Sequence, residues 1–292
     1  MNKNLPKISI ILVNYNHLEV TYECLKSLRK LTYPNTEIWV VDNNSLIENR
    51  LNPDLFPEIH YLQSDVNLGF AGGNNLAIKK AKGDYILLLN NDTEVSPDLI
   101  EKLLIPFNEF PDAGIVSPKI LFYYENNLIQ YAGTNAINPL TCRGYTNGYK
   151  EKDQGQFNFI KITDLANGAC MLIKRSVIDT VGLLSESFFL YYEEYDYCEM
   201  AKRAGFSIYF TGFTYILHKE SVSVGKGSPL KSYYMAKNRI LFAKRNFNGW
   251  QKTVSLIYYY VLALPKNLLY DAIDGRFKNV SATLRGAFFF SR

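Results

Sequence analysis

The sequence predicts an α/β fold: a single, mostly parallel sheet flanked by helices, with a small antiparallel part and a helical C-terminal tail. Three observations carry this. Continuous apolar runs alternate with segments of helical periodicity from Ile8 to about Phe110, polar clusters close three of those runs, and the segment from position 231 onward reads as helices.

Residues 8–13 form a β-rich run that stops at Asn14-Tyr15-Asn16, and Leu18 to Leu31 follows at helical spacing. Glu37 to Val41 is a second strand, closed by Asp42-Asn43-Asn44-Ser45, and Ile59 to Leu62 a third. After Asn67 to Gly73 a helix runs to about Lys82. Tyr85 to Leu89 is a fourth strand, ending in Asn90-Asn91-Asp92, and Pro97 opens a helix through about Phe110. From Ile115 to Gly168 the periodicity weakens, which predicts loops and small antiparallel strands. Then come a strand at Ala169 to Ile173, a short helix at Arg175 to Val181, a loop, and an amphipathic helix from Glu193 to Ala204 stopped by Gly205. Two short strands, Ser207 to Phe210 and Tyr215 to Leu217, precede His218. In such a sheet ligands bind beyond the carboxyl ends of the strands. Three polar clusters there deliver their chemistry to one edge.

The chain divides into an expected catalytic body, 1–230, and a tail, 231–292. Residues 219–292 carry 13 Lys+Arg against 3 Asp+Glu, within a chain of net charge +4. A basic tail suits an anionic surface. Ser232 to Phe247 reads as a basic helix, and Thr253 to Leu264 as an uncharged run ended by Pro265. That run is short of the roughly 20 residues a membrane span requires. The tail is therefore expected to lie on a membrane surface, with packing in the core or against a second copy of the chain as the alternative. Cys24, Cys142, Cys170 and Cys198 lie far apart, and the polar N-terminus runs straight into a strand. Both point to a cytoplasmic protein, peripheral on the inner face of the cell membrane. No interleaving of basic and aromatic residues on a recognisable module suggests nucleic acid.

Asn90-Asn91-Asp92 presents hard oxygen ligands at a sheet edge, where Mn²⁺ or Mg²⁺ can take one carboxylate and fill its shell from phosphate and water. Read alone, it is a turn first and a metal site second. Asn67-Leu68-Gly69-Phe70-Ala71-Gly72-Gly73-Asn74-Asn75 opens a helix, where glycines let backbone N–H groups approach an anion. Its spacing matches neither the Rossmann fingerprint nor the P-loop. Phe188 to Tyr192 sets an aromatic run ahead of Glu193, Glu194 and Asp196. Acids in a first helical turn offset the dipole, but a partly desolvated carboxylate beside an aromatic wall also suits general-base work. His218, ending a strand, is open to either a ligand or a structural role.

In this order, these segments resemble the inverting family 2 glycosyltransferases of GT-A fold, especially the rhamnosyltransferase-like branch of bacterial surface polysaccharide synthesis. The matching stretches are Ile10–Asn16, Val40–Ser45, Asn67–Asn75, Gly83–Asp92, Asn167–Lys174 and Phe188–Gly205. The resemblance implies that the sheet binds a nucleotide. It puts Val13, Tyr15 and Asp42 at the nucleoside, Asn67, Gly69 and Asn74 beside the nucleotide loop, and Gly168 and Ala169 at the acceptor. Asn91 and Asp92 take the middle and last positions of the D-x-D-like metal motif, whose first position here is Asn90. His218 matches a histidine near the metal. Glu193-Glu194 lies on a Glu-Asp pair whose second member is the base. Glu194 is one methylene longer than the family's Asp, so Glu193 and Asp196 stand as the other candidates.

The expected reaction moves a sugar, a hexose or rhamnose, from a nucleotide diphosphate sugar to a hydroxyl of a lipid-linked saccharide, with a divalent cation on Asp92. Two other readings compete: a nucleotidyltransferase making the donor, and a non-catalytic scaffold that binds nucleotide sugar.

Overall fold

The computed structural model describes residues 5–219 and 227–289. One sheet dominates. Strands β1 (Ile8–Asn14), β2 (Thr36–Asp42), β3 (Ile59–Gln63) and β4 (Tyr85–Leu89) run parallel, in spatial order β3-β2-β1-β4. Helices α1 (Leu18–Leu28) and α2 (Gly69–Ile78) lie in the connections between them. The strands are covered on both faces, so they read as continuous apolar runs. Within β1 the pleat alternates, sending Ile8, Ile10 and Leu12 into one core and Ile11 into the other. The first core is completed by α3 (Leu99–Glu109), the second by α4 (Arg175–Val181) and α5 (Glu193–Arg203).

The second half of the sheet is where expectation and structure part. Strand β6 (Ala113–Phe122) is long and buried throughout, and most of it falls in the stretch read as loops and small antiparallel strands. Pro118 and Lys119 disguise it. The Lys119 ammonium is nevertheless buried, satisfied at 2.7 Å by both Asp153 and Asn158. The short strands β5 (Thr93–Val95), β7 (Ile129–Tyr131) and β8 (Ile160–Ile162) are antiparallel to their partners, as expected for the small antiparallel part. Strand β9 (Cys170–Lys174) runs antiparallel between β4 and β6. The two strands expected around residues 207–217 are one, β10 (Ser207–His218), with an irregularity between Thr211 and Tyr215. There a Cβ on Gly212 would collide with Phe157 O, so only glycine lets the neighbouring loop cross so closely.

The tail is built of helices α6 (Pro229–Asn246), α7 (Gly249–Tyr258), α8 (Leu264–Ile273) and α9 (Phe277–Ala287). The helical backbone does not stop at Pro265. A π-helical turn, Tyr259–Ala263, carries the chain into α8, and Pro265 sits in that helix's first turn, where its missing N–H costs least. Among the described residues no helix is long and apolar enough to cross a membrane. The tail also packs on the body. Phe242 of α6 is fully buried with Phe188, Tyr192 and Cys142 of the body.

Candidate active site

The carboxyl ends of β1, β2 and β4, the end of β10 and the start of α6 surround a cavity of 350 Å³, within the ordinary size of a small-molecule site. Val13, Tyr15, Asn67, Gly69, Asn74, Asn91, Asp92 and His218, all expected site residues, line it.

Register explains why Asp92 and His218 meet. The edge strand β5 pairs antiparallel with β10, with Thr93 opposite His218. That sets His218 Nε2 3.2 Å from Asp92 Oδ1, while His218 Nδ1 lies 2.8 Å from Gln130 Oε1. Asp92 is only 5% exposed, and its Oδ1 has no hydrogen-bond partner. The His218 ring stands at ion-pair distance without donating a hydrogen bond to it, and a buried carboxylate oxygen that accepts none signals a further electropositive partner. Oxygen and imidazole donors together suit a divalent cation. Among the described residues no group of three or more His, Cys, Asp or Glu could hold a metal. These two side chains would therefore need phosphate and water to complete a shell.

Behind Asp92 a hydrogen-bonded chain ties the strand ends together. Asn91 Nδ2 donates to Thr21 Oγ1 (2.8 Å), whose single proton is shared between His17 O (2.8 Å) and Asn14 Oδ1 (3.2 Å), and Asn14 Nδ2 donates to Asp42 Oδ2 (3.1 Å). Asp42 therefore differs from expectation. It is fully buried, spends Oδ1 on the Ser45 N–H (2.9 Å), and is not on the cavity wall. The wall residue is its neighbour Asn43.

The glycine-rich helix start also departs from the reading as an anion cradle. The N–H groups of Leu68, Gly69 and Phe70 are already taken by Asn43 Oδ1 (2.9 Å), Asn67 Oδ1 (2.9 Å) and Phe189 O (2.7 Å). Gly69 has φ +69°, and a Cβ there would strike Phe189 O. The glycine serves a close approach of two loops rather than of a phosphate.

Phe189 belongs to the loop that delivers the acids. Phe189, Tyr191 and Tyr192 all have positive φ (59°, 68° and 73°), a conformation costing each about 1 kcal/mol or more and found at functional sites. Asn238 of α6 holds them there: its Nδ2 lies 2.5, 2.7 and 2.9 Å from the carbonyls of Phe188, Leu190 and Tyr191. Phe189, Leu190 and Tyr191 line the cavity, and α5 starts immediately after Tyr192.

The three acids of α5 separate. Glu194 packs against Gly168, where an added Cβ would stand 3.7 Å from its side chain. The carbonyl of the next residue, Ala169, accepts the Asn90 N–H at 3.0 Å, because β4 and β9 pair antiparallel at that end. Gly168 and Ala169 thus lie between the base candidate and the metal motif, off the cavity wall. Glu193 is buried with Oε2 unpartnered. Burial raises both carboxyls: Glu194 reaches about 7, and Glu193 rises well above the carboxylate range, helped by the Glu194 charge. Asp196 is a correction. It is 1% exposed and points away, into Arg245 and Asn246 of α6, which rules it out as an acid facing a substrate.

Sequence reading missed Asn43, Gln130, Leu230 and Lys231 on the cavity wall. Asn43 was visible beside Asp42 at a strand end. Gln130 and Lys231 arrive through β7 and the α6 start, elements whose position no local pattern gives.

Comparisons with known proteins bear on the family and the fold. The sequence model described as "Glycosyl transferase family 2" matches residues 9–182. The low-salt glycan biosynthesis hexosyltransferase Agl10 of Haloferax volcanii is 30% identical over 89% of this chain and 82% of its own. The N-acetylglucosaminyl-diphospho-decaprenol L-rhamnosyltransferase of Mycobacterium tuberculosis is 23% identical over 86% of this chain and 87% of its own. Among solved structures, GalNAc-T7 with UDP, GalNAc and Mn²⁺ superposes with a TM-score of 0.70 at 16% identity, over 97% of this chain and 56% of that one. That likeness shows the fold, GT-A.

Proposed function

Given that the chain belongs to glycosyl transferase family 2, we propose that it transfers a hexose or rhamnose from a nucleotide diphosphate sugar to a hydroxyl of a diphosphate-linked lipid saccharide, inverting the anomeric carbon. Its relatives act in glycan and polysaccharide biosynthesis. The observation that carries the reading is the buried Asp92 carboxylate, its Oδ1 unpartnered on the floor of the cavity, with Glu194 set beyond Gly168.

Asp92 and His218 would hold a divalent cation, Mn²⁺ or Mg²⁺; when bound, it neutralises the diphosphate and improves it as a leaving group. A solved fold neighbour carries UDP and Mn²⁺, which supports this assignment. Of the cavity-lining residues, Val13, Tyr15 and Asn43 are assigned to the nucleoside, and Asn67 and Asn74 to the donor's remaining groups. Glu194 accepts the proton of the acceptor hydroxyl as that oxygen bonds to the anomeric carbon. The bond from that carbon to the diphosphate oxygen breaks, and the nucleoside diphosphate departs with the electron pair. A carboxyl raised by burial is a stronger base than a solvated one once ionised. Glu193, raised further by burial and by the Glu194 charge, stays protonated beside it.

The acceptor class is supported by the diphospho-decaprenol acceptor in the name of the mycobacterial relative. Membrane contact would come from the exposed apolar side chains of the α7–α8 segment, among them Ile257, Val261, Leu269 and Ile273, interspersed with Lys252 and Lys266.

A screen of nucleotide diphosphate sugars, with Mn²⁺ or Mg²⁺ and a chelator control, tests the reading. Metal-dependent release of nucleoside diphosphate from one donor is expected, with an inverted product when acceptor is added. Retention of configuration, or full activity in Asp92→Ala, would overturn it.

A further inference from the structure

A second cavity, of 330 Å³, opens between α6, α8 and α9. Its charge is unbalanced. Arg143, Lys231, Arg239 and Arg276 line it, against one acid, Asp271, already paired with Arg276 at 2.9 Å. Arg239 is the unusual member. It is 4% exposed, forms no ion pair among the described residues, and its Nε and Nη2 are buried without hydrogen-bond partners. The face of its guanidinium is covered: Cζ lies 4.9 Å from the Tyr259 ring centroid and 5.6 Å from that of Tyr258. Stacking leaves the in-plane N–H groups free, and those are the donors that bind oxyanions. An uncompensated buried cation is costly, so a fold that keeps one has a counter-ion to receive.

Two further features mark the place as built for a ligand. Tyr259 begins the π-helical turn, a local irregularity that recurs at functional sites. Its hydroxyl is also buried and unpartnered. The cavity adjoins the first one along the chain. Lys231 lines both, while Tyr191 lines the first and its neighbour Tyr192 the second.

We propose that this second cavity is the phosphate site of the acceptor: Arg239, with Arg143 and Lys231, receives the diphosphate that links the acceptor sugar to its lipid. This rests on the transferase reading above for the identity of the ligand, though not for the presence of an anion site. A saccharide anchored there by its diphosphate would reach past Tyr191 toward Glu194. The basic charge of the tail then has a specific use, distinct from general attraction to a membrane.

The probe is radiolabelled inorganic pyrophosphate in equilibrium dialysis with the full-length protein, in EDTA so that no cation assists the donor side. One equivalent should bind. Arg239→Gln and the surface variant Arg143→Gln should each weaken it by about tenfold or more, which is ~1.4 kcal/mol, and Arg239→Lys should recover part. Asp92→Asn should bind as wild type. Nucleotide affinity and circular dichroism verify that each variant folds. Undiminished binding in both arginine variants, or loss in Asp92→Asn alone, would overturn the proposal. A second arm identifies the source. The KM for a sugar on a short isoprenyl diphosphate should rise about tenfold in Arg239→Gln, and that for the same sugar on an alkyl chain without phosphate should not change. Equal changes, or Arg239-dependent binding to phosphatidylglycerol vesicles without pyrophosphate binding, would refute an acceptor site. Pyrophosphate bound through Arg239 in a protein that transfers no sugar would uphold the anion site and remove the transferase reading.

Discussion

Arg245 Nε and Nη2 each lie 3.1 Å from one oxygen of the Asp196 carboxylate. The pair bolts the first turn of α5 to the end of α6, and Asn246 adds a third hydrogen bond at 2.8 Å. Asp196→Ala would remove a buried carboxylate from the exposed Arg245 and from Asn246, and should lower unfolding free energy by roughly 1–3 kcal/mol, the scale of hydrogen bonds to a charged group. Urea denaturation reads this. The folded fraction should keep its nucleotide affinity, and a loss of kcat at unchanged stability would instead make Asp196 part of the chemistry.

Glu194→Gln should reduce kcat by about 10²–10⁴-fold, the usual scale for a general base, with little change in donor binding. Only the ionised carboxyl can take a proton, so wild-type kcat/KM should fall as pH drops through about 7, where burial has raised Glu194. The linked stability runs the other way. A carboxyl raised in the fold binds its proton more tightly there than in the unfolded chain, so stability is greatest in acid and declines as pH rises from the ordinary carboxylate value toward 7. Urea midpoints measured across pH should slope less in Glu194→Gln than in wild type.

His218→Ala should raise the cation concentration needed for half-maximal donor hydrolysis by about 10–100-fold. Asp92→Asn should do at least as much. Titrations with Mn²⁺ and Mg²⁺ check both, and an unchanged requirement would return Asn90-Asn91-Asp92 to the status of a turn.

Asn238→Leu removes the amide that holds three loop carbonyls and should cost roughly 2–3 kcal/mol from the groups left unpaired. Because Phe189 and Tyr191 are held in left-handed backbone by those contacts, activity should fall further than stability. Paired kcat and denaturation measurements test it.

Removing residues 232–292 does not test membrane binding, since it would also remove Asn238, Arg245 and the buried Phe242. Replacing exposed Ile257, Val261 and Ile273 with Ser is the cleaner change. It should weaken binding to anionic vesicles by about tenfold or more, given ~0.8 kcal/mol for each buried methylene. Sedimentation with liposomes reads the result.

The parallel half of the sheet was legible because its strands are uninterrupted apolar runs such as Tyr85–Leu89, most of them closed by a polar cluster. Strand β6 was not, since Pro118 and the buried Lys119 break its pattern, and only Asp153 and Asn158, well downstream in the chain, make that lysine tolerable. Asp92 and His218 were both marked in advance, but their meeting depends on β5, an edge strand too short to leave a signal. Arg245 and Asn238 looked like ordinary members of a basic helix. Their partners lie far earlier in the chain, on α5 and the loop before it, and spacing carries no information at that range.

Gly69 and Phe189 give the molecule a constraint of a different kind. The helix beside the proposed donor site and the loop ahead of the proposed base share the Phe70–Phe189 hydrogen bond, and Asn75 fastens the same loop through Leu184 and Glu186. No larger residue fits at 69. Segments 67–75 and 182–192 are therefore one transplantable unit. A chimera that borrows the loop from a relative to change its acceptor has to borrow the helix start as well.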